Sequence, residues 1–367
     1  MRSLADLLTT PAGRALLAEA GSFDDPDAFL RALRPPSDGT GGLPVFVHQQ
    51  VYLDYRASVV AKVLALRDLH RRDAATVPEF LWIDTDRAGS DKLSLRLYLE
   101  SPAGAVAVRL APPGCERREP RAIRLDAGRL SSAVARIEAT LRAGPGGAER
   151  LRRFADLRPL LTAAGSLADL SRRLSAALFT AVLDFEPRPL LVSALIAEGT
   201  LTPLLDRIVD RQPAFVAAVN DRIAALRAGD VDPHLKPLPA DWLPLFMTGP
   251  ADGRRLRLRL ERDGGLPLAV AADSDGTRHR FPLDRGLAAL GDRLRWSPDV
   301  VLPLLLNRRS SGLVAGRSSA LYLLVLQPAA EAVLGLRPLP VLVPREWDIF
   351  TGAFDSLFAA CLDGRRV

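Results

Sequence analysis

Two short stretches near the N-terminus decide the fold, PVFVHQQ at residues 44–50 and EFLWIDTD at residues 79–86. Each contains a continuous apolar run, which is typical of a strand buried on both faces of a parallel sheet. Between them, apolar side chains recur at helical spacing over residues 59–69. The sequence therefore predicts a strand at residues 45–47, a crossover helix and a second strand at residues 80–83. Such a unit, with polar groups at the strand ends, is how a doubly wound sheet forms a ligand crevice.

The composition is that of a globular chain. Its 367 residues are 48% hydrophobic, which is enough for one large core or two moderate ones. No run approaches about eighteen uncharged apolar residues, the length that a membrane-spanning helix needs. Only Cys115 and Cys361 are present, and they have neither a disulfide framework nor a metal-site spacing. We therefore expect a cytoplasmic protein with no membrane contact and no metal site.

The net charge of +6 does not by itself predict nucleic-acid binding. The 49 basic residues are scattered among 43 acidic ones, and only three of them are lysines. The densest basic cluster, at residues 115–121, is broken by acids and lacks the aromatic side chains that stack on bases. Such an arginine bias is typical of a GC-rich genome. We therefore expect no nucleic-acid partner.

The pattern divides the chain into five segments. These are an N-terminal helical segment (1–40), the first half of a core (41–125), a helical insertion (126–240), a β-rich insertion (241–295), and the second half of the core with a C-terminal helix (296–367). A strand at residues 190–194 is predicted to return the helical insertion to the sheet. Two βαβ-like halves around insertions imply one discontinuous α/β domain.

The later segments carry their own signals. Leucines alternate with arginines over residues 256–260 before the Asp263-Gly-Gly turn, which predicts a hairpin. A strand at residues 300–302, a helix at residues 317–335 and a strand at residues 340–343 form the second βαβ-like unit.

Several segments in a fixed order carry a family resemblance. They are VHQQ at 47–50 with Lys62 twelve positions on, the strand ending Trp82-Ile83, the Asp232-Pro-His234 turn, SPDVVLP at 297–303, and the run from Val314 through Tyr322 to Pro344-Arg345. Together they resemble the bacillithiol-biosynthesis cysteine ligase (BshC) family over roughly residues 40 to 347. The resemblance implies a Rossmann-like, mostly parallel sheet split by insertions. It also implies an enzyme that joins cysteine to the amino group of a glucosamine-malate conjugate.

The chain departs from that family at its motifs. Residues 51–56 (VYLDYR) replace a glycine-rich loop, and bulky side chains narrow the space in which backbone N–H groups approach an anion. The sequence after Asp86 lacks the family's histidine, and residues 315–319 (AGRSS) lack its carboxylate. The chain also stops before the family's C-terminal coiled coil, so we do not expect that coiled-coil dimer and leave the oligomeric state open.

Three candidate catalytic residues lie at the predicted strand ends. His48 has a side chain that titrates near neutrality and can move a proton from an amine. Asp84 and Asp86 are two residues apart, so both can face one side and hold an ammonium group or a metal ion. The alternatives are a loop histidine that bonds only to backbone and aspartates that cap a helix.

Six further residues are candidates for substrate binding: Gln49, Gln50, Lys62, Gly316, Arg317 and Tyr322. The two glutamine amides offer donors and acceptors to a polar substrate. Lys62 and Arg317 can reach an anion, the latter beside Gly316 at a predicted helix N-terminus. The alternative for the two cations is a solvated position on a helix surface.

Three functions remain open. The first is a ligase of the resembling type, forming a C–N (amide) bond between an amino acid such as cysteine and the amine of a small metabolite. The second is a catalytically impaired homologue that binds a metabolite or a protein, and the third is an unrelated α/β enzyme such as a nucleotidyl or sugar transferase. The cofactor is unknown, with ATP or another nucleotide as the candidate, although no GxxxxGK[ST] motif occurs. Convergence of the candidates on one pocket favours an enzyme, whereas scatter, or Tyr52 and Tyr55 filling the crevice, favours a binding protein.

Overall fold

The structure is a computed structural model. It describes residues 3–37, 39, 41–98, 105–250, 252–273, 275–344 and 356–367. Arg345, at the end of the resembling segments, lies outside these residues.

Strands and helices alternate along the described chain. The strands are β1 Ser22–Phe23, β2 Leu43–Gln50, β3 Thr76–Ile83, β4 Ser94–Tyr98, β5 Ala105–Arg109, β6 Arg124–Leu125, β7 Gly165–Ser166, β8 Arg188–Leu191, β9 Trp242–Thr248, β10 Arg255–Asp263, β11 Leu266–Ala272, β12 Arg278–Pro282, β13 Trp296–Pro298, β14 Gly312–Val314 and β15 Val341–Leu342. The helices are α1 Leu4–Thr9, α2 Pro11–Glu19, α3 Pro26–Ala32, α4 Ala57–Arg72, α5 Ala127–Ala143, α6 Gly147–Thr162, α7 Leu167–Leu183, α8 Val192–Ala197, α9 Thr202–Asp210, α10 Gln212–Ala228, α11 Leu302–Leu305, α12 Arg317–Leu334 and α13 Leu357–Leu362.

A six-stranded sheet in the order β1-β15-β14-β2-β3-β8 forms the centre of the fold. Every neighbouring pair in it is parallel. The predicted strand-helix-strand unit is therefore confirmed as β2, α4 and β3. The α/β, Rossmann-like sheet with insertions is confirmed as well.

The sheet reverses its winding between β2 and β14. From β2 the chain passes through α4 to β3 and later adds β8, whereas from β14 it passes through α12 to β15 on the other side. The apolar side chains of α4 and α12 belong to cores on opposite faces of the sheet. The carboxyl ends of β2 and β14 consequently flank the switch point, where ligands of open α/β sheets bind.

Two hydrophobic cores cover the two faces of the sheet. Successive side chains of each strand pack alternately into one core and the other. On β2, Phe46 packs into the core that contains α12, while Val45 and Val47 pack into the core that contains α4. On β3, Leu81 joins the α12 core and Phe80 the α4 core. Because successive residues of a strand point to opposite faces, continuous apolar runs are required here.

The insertions match the predicted elements in type. Helices α5 to α10 occupy most of the region between residues 127 and 228. In the β-rich region, β10 and β11 pair antiparallel with Asp263 opposite Leu266, as the glycine turn predicts. They belong to a five-stranded antiparallel sheet in the order β12-β11-β10-β9-β13.

Two strand predictions are wrong in position. The chain is extended at β13, which pairs with β9, whereas residues 300 and 301 form a turn and Leu302 begins α11. The strand of the second core half is instead β14, ten residues further on. Likewise β8 ends at Leu191, because the buried carboxylate of Asp84 accepts from the Ser193 N–H and starts α8 there.

No helix in the described ranges combines the length and apolarity needed to cross a bilayer.

Candidate functional site

The polar residues at the end of β2, His48, Gln49 and Gln50, point to both faces of the sheet. The strand continues through Gln50, which pairs with Ile83 of β3, so the polar triplet lies within it. His48 and Gln50 therefore face the α12 side and Gln49 faces the α4 side. This alternation separates three residues that the sequence groups together at the end of the predicted strand.

His48 faces the N-terminal turn of α12. Its Nε2 lies 3.2 Å from the Ser319 hydroxyl and 3.2 Å from the Tyr322 hydroxyl. The Tyr322 hydroxyl also donates to Ser319 at 3.3 Å, so the three side chains form one cluster. His48 Nδ1 is buried and has no hydrogen-bond partner within the described part of the chain.

The His48 cluster is electrically neutral. Burial, assisted by the positive charge of Lys62, lowers the pKa of His48 from 6.5 to about 3. Burial likewise raises the pKa of Tyr322 to about 12. The structure thus brings together His48 and Tyr322, two residues predicted for the site. Their cluster lies on the opposite face of the sheet from Gln49.

Lys62 of α4 reaches back to the end of β2. Its Nζ donates to Gln49 Oε1 at 2.9 Å and lies 3.5 Å from the His48 carbonyl oxygen. The side chain is only 6% exposed, and burial lowers its pKa from 10.5 to about 8. The expected alternative of an exposed helix position is therefore wrong for Lys62. Two neutral oxygens, rather than a carboxylate, accept from its ammonium group.

Asp86 ties the central sheet to the antiparallel sheet. Its carboxylate accepts from Gln50 Nε2 and from Arg255 at 2.6 Å, and it lies 3.8 Å from the Lys92 ammonium. Arg255 in turn donates to the Pro298 carbonyl at 2.7 Å. Gln50 and Asp86 thus bond to each other, and Asp86 also contacts Arg255 and Lys92.

Asp84 has a different set of partners. Its carboxylate accepts from the Ser193 backbone N–H at 2.9 Å and from the Ser193 hydroxyl. The side chain is buried, and burial raises its pKa despite these hydrogen bonds. Asp84 therefore caps α8, as the helix-capping alternative expects, whereas Asp86 bonds to Gln50 and Arg255.

The last two candidates stand at the start of α12. Gly316 is the N-cap residue, and Arg317 is the first helical residue and is exposed. Neither lines a cleft together with Gln49.

A cleft of about 310 Å³ opens on the α4 side of the β2 end. It is lined by Gln49, Tyr52, Asp54, Tyr55, Arg56, Ser58, Val59, Asp91, Ser94 and Arg96. We call it the α4 cleft. Gln49 is the one predicted site residue that lines it. The other polar lining groups come from the VYLDYR loop, from the first turn of α4, from the turn before β4 and from β4 itself.

Aromatic packing sets the shape of the α4 cleft. The Tyr55 ring is buried against Phe80 and Phe179, with centroids 5.6 and 6.1 Å away, and its hydroxyl donates to the Gln50 carbonyl at 3.3 Å. Tyr52 is half-buried, with the Lys92 ammonium 5.5 Å from its ring centroid. The two tyrosines thus form walls of the crevice and leave a cavity between them and α4.

The α4 cleft carries charges of both signs. Arg56 occupies the N-cap position of the 16-residue helix α4 without a side-chain hydrogen bond to the helix. Arg96 supplies a second cation, and Asp91 supplies a carboxylate beside the Tyr52 hydroxyl, whose pKa is raised by burial and by that aspartate. Burial raises the pKa of Asp54 from 3.8 to about 6, although Ser356 and Phe358 donate to it.

The VYLDYR loop contained the signal for these residues. It is the segment at which the chain departs from the resembling family, and it supplies four of the ten lining residues: Tyr52, Asp54, Tyr55 and Arg56. Asp91, Ser94 and Arg96 had no sequence signal, since they reach the cleft through the short turn after β3.

Among the described residues, no group of three or more His, Cys, Asp or Glu side chains is placed to hold a metal ion. No protein-family model matches the chain, and no curated protein is significantly similar to it. The fold and the cleft define an α/β protein with a Rossmann-like sheet and a polar crevice at its switch point. The resemblance to the cysteine ligase family remains a prediction.

Proposed function

We propose that this protein binds a small zwitterionic metabolite of the amino-acid class in the α4 cleft. The observation that carries the proposal is the pairing of charges around a cavity of amino-acid size at the carboxyl end of β2, the strand that flanks the switch point. Arg56 and Arg96 lie on its walls together with Asp91. Pockets with a few convergent polar groups at this place in an α/β sheet are the usual ligand sites.

The chemistry of the walls supports a defined orientation. A carboxylate placed over the first turn of α4 meets backbone N–H groups, the positive end of the helix dipole and the Arg56 guanidinium. An ammonium group of the same ligand then has the Asp91 carboxylate as its partner, and the Gln49 amide offers both a donor and an acceptor. The scatter of the other predicted residues favours binding over catalysis.

A thermal-shift screen tests the proposal. Amino acids, amino sugars and nucleotides are added to the wild-type protein and to Arg56→Gln and Arg96→Gln. A ligand at 100 times its Kd stabilises the native state by about 2.7 kcal/mol. We expect an amino acid to raise the unfolding temperature of the wild type and to lose that effect in both variants.

The matched control is Arg71→Gln, which removes an exposed arginine at the other end of the same helix. It should respond to the ligand as the wild type does. If no amino acid stabilises the protein, or if both cleft variants respond unchanged, the proposal is wrong.

A second candidate function is amide-bond formation between that amino acid and an amine, as in the resembling family. The observation in its favour is Lys62, a buried base with a lowered pKa that bonds directly to Gln49 of the cleft. Condensation of a carboxylate with an amine releases water and needs an activated carboxyl group. The test therefore supplies ATP and glucosamine with the stabilising amino acid, and follows amide mass and nucleotide cleavage together.

The outcome separates the two functions. Wild-type product that is lost in Lys62→Met, while ligand stabilisation persists, supports the ligase. Ligand stabilisation without any nucleotide-dependent amide leaves the protein as a metabolite-binding module. We place either function in the cytoplasm, in line with two cysteines that are unpaired in the structure.

A further inference from the structure

A second cleft, of about 420 Å³, opens near the carboxyl ends of β3 and β8. We call it the α8 cleft. Its polar lining residues are Arg121, Ser193, Thr202 and Arg295, and its apolar ones include Ile196, Leu287, Leu294 and Trp296. It shares no lining residue with the α4 cleft.

Two buried carboxylates hold polar groups of the α8 cleft in place. Glu119 is 0% exposed and accepts from Arg121 Nε at 2.7 Å and from the Thr248 hydroxyl at 2.8 Å. Asp84 is 1% exposed and accepts from both the backbone N–H and the hydroxyl of Ser193. Because Arg121 and Ser193 are held in place before a ligand arrives, the entropic cost of ordering them on binding is smaller.

The α8 cleft is lined partly by hydrogen-bond donors and partly by apolar side chains. The Arg121 side chain is 22% exposed, and Arg295 is exposed at the rim. Guanidinium groups offer planar sets of N–H donors that match the oxygens of an oxyanion, and the Thr202 hydroxyl adds a further donor. The leucines, Ile196 and Trp296 give an organic group an apolar surface.

We propose that the α8 cleft binds an organic phosphate monoester, with the phosphate at Arg121 and Arg295 and the carbon skeleton against the apolar wall. Two cations and the Thr202 hydroxyl suit a dianion with three terminal oxygens better than a carboxylate with two. The site goes beyond the amino-acid function proposed above, because it uses other residues and another ligand chemistry.

Calorimetric titration of the full chain with phenyl phosphate, inorganic phosphate and benzoate tests the proposal. We expect phenyl phosphate to bind more tightly than inorganic phosphate, which lacks the apolar group, and more tightly than benzoate, which lacks the third oxygen. In Arg121→Gln and Arg295→Gln the Kd for phenyl phosphate should rise about tenfold or more, since each variant removes a charge-assisted contact.

Arg295→Gln keeps the test valid if loss of Arg121 destabilises the fold around Glu119, because Arg295 is exposed and outside that network. Arg285→Gln, also exposed and absent from the lining, is the matched control and should bind as the wild type does. Absence of phenyl phosphate binding, an unchanged Kd in Arg295→Gln, or equal affinity for benzoate overturns the proposal. Arg96→Gln should leave phenyl phosphate binding intact, so failure here is distinct from failure at the α4 cleft.

Discussion

His48 illustrates how the position of one side chain limits its chemistry. The imidazole is half-buried between β2 and α12, with its Nδ1 atom buried, and its pKa of about 3 keeps it neutral at physiological pH. The Ser319 and Tyr322 hydroxyls occupy its Nε2 side. A neutral imidazole of this kind contributes mainly to the packing of the switch point.

The pKa of His48 predicts a loss of stability in acid. In the unfolded chain the group takes up a proton below its ordinary pKa of 6.5, whereas the folded state resists protonation down to about 3. The free energy of unfolding of the wild type should therefore fall, relative to His48→Gln, by about 3 kcal/mol between pH 6.5 and about pH 4. Urea unfolding of both proteins across this range measures the difference. Parallel pH profiles would contradict the buried, neutral assignment.

At the scale of single elements, β2 marks where sequence reasoning succeeds and where it stops. Its apolar run at residues 45–47 predicts the strand, because both faces are buried. Its polar end does not differ from a loop in composition, yet it continues the hydrogen-bonded ladder with β3 through Gln50. The length of β2 depends on its pairing with β3, and the length decides which face each polar side chain points to. The local sequence alone therefore does not predict these orientations.

The start of α8 also depends on a distant residue. Asp84, 109 positions before Ser193, supplies the cap. We expect Asp84→Ala to lower the free energy of unfolding by about 2 kcal/mol, because it removes a helix cap and leaves the half-buried Ser193 hydroxyl without its acceptor. Asp84→Asn keeps one acceptor oxygen and should cost less. Chemical denaturation measures the free energy of unfolding of both variants. If both changes have an equal effect near zero, Asp84 does not stabilise the start of α8.

At the scale of the whole molecule, the order of the parallel sheet follows from alternating strand and helix patterns, and the split core follows from the insertions. What the sequence could not supply is β14, since three residues (GLV) carry too little periodicity to identify a strand. This strand determines the switch point. The carboxyl end of β2, where the α4 cleft opens, was predictable from the strand-helix-strand pattern, whereas the switch point and the lining from β4 and the preceding turn were not.

The N-terminal helices are part of this architecture. A Cβ built on Gly312 of β14 would lie 2.6 Å from the Phe29 ring of α3 and 2.8 Å from Leu33. Gly312→Ala should thus destabilise the protein by about 1–3 kcal/mol through overpacking. Gly41→Ala, where nothing lies within 4 Å, is the matched control and should be nearly neutral. Equal unfolding midpoints for the two variants would show that α3 does not pack on β14 in this way.

The central claim is that the switch-point crevice on the α4 side binds an amino-acid-like metabolite. Hydrogen–deuterium exchange of the full chain, with and without a saturating mixture of the common amino acids, tests it most directly. We predict slower exchange in residues 51–60 and 91–96, which line the α4 cleft. Unchanged exchange in both segments, or protection confined to the start of α12 or to α8, would contradict the claim.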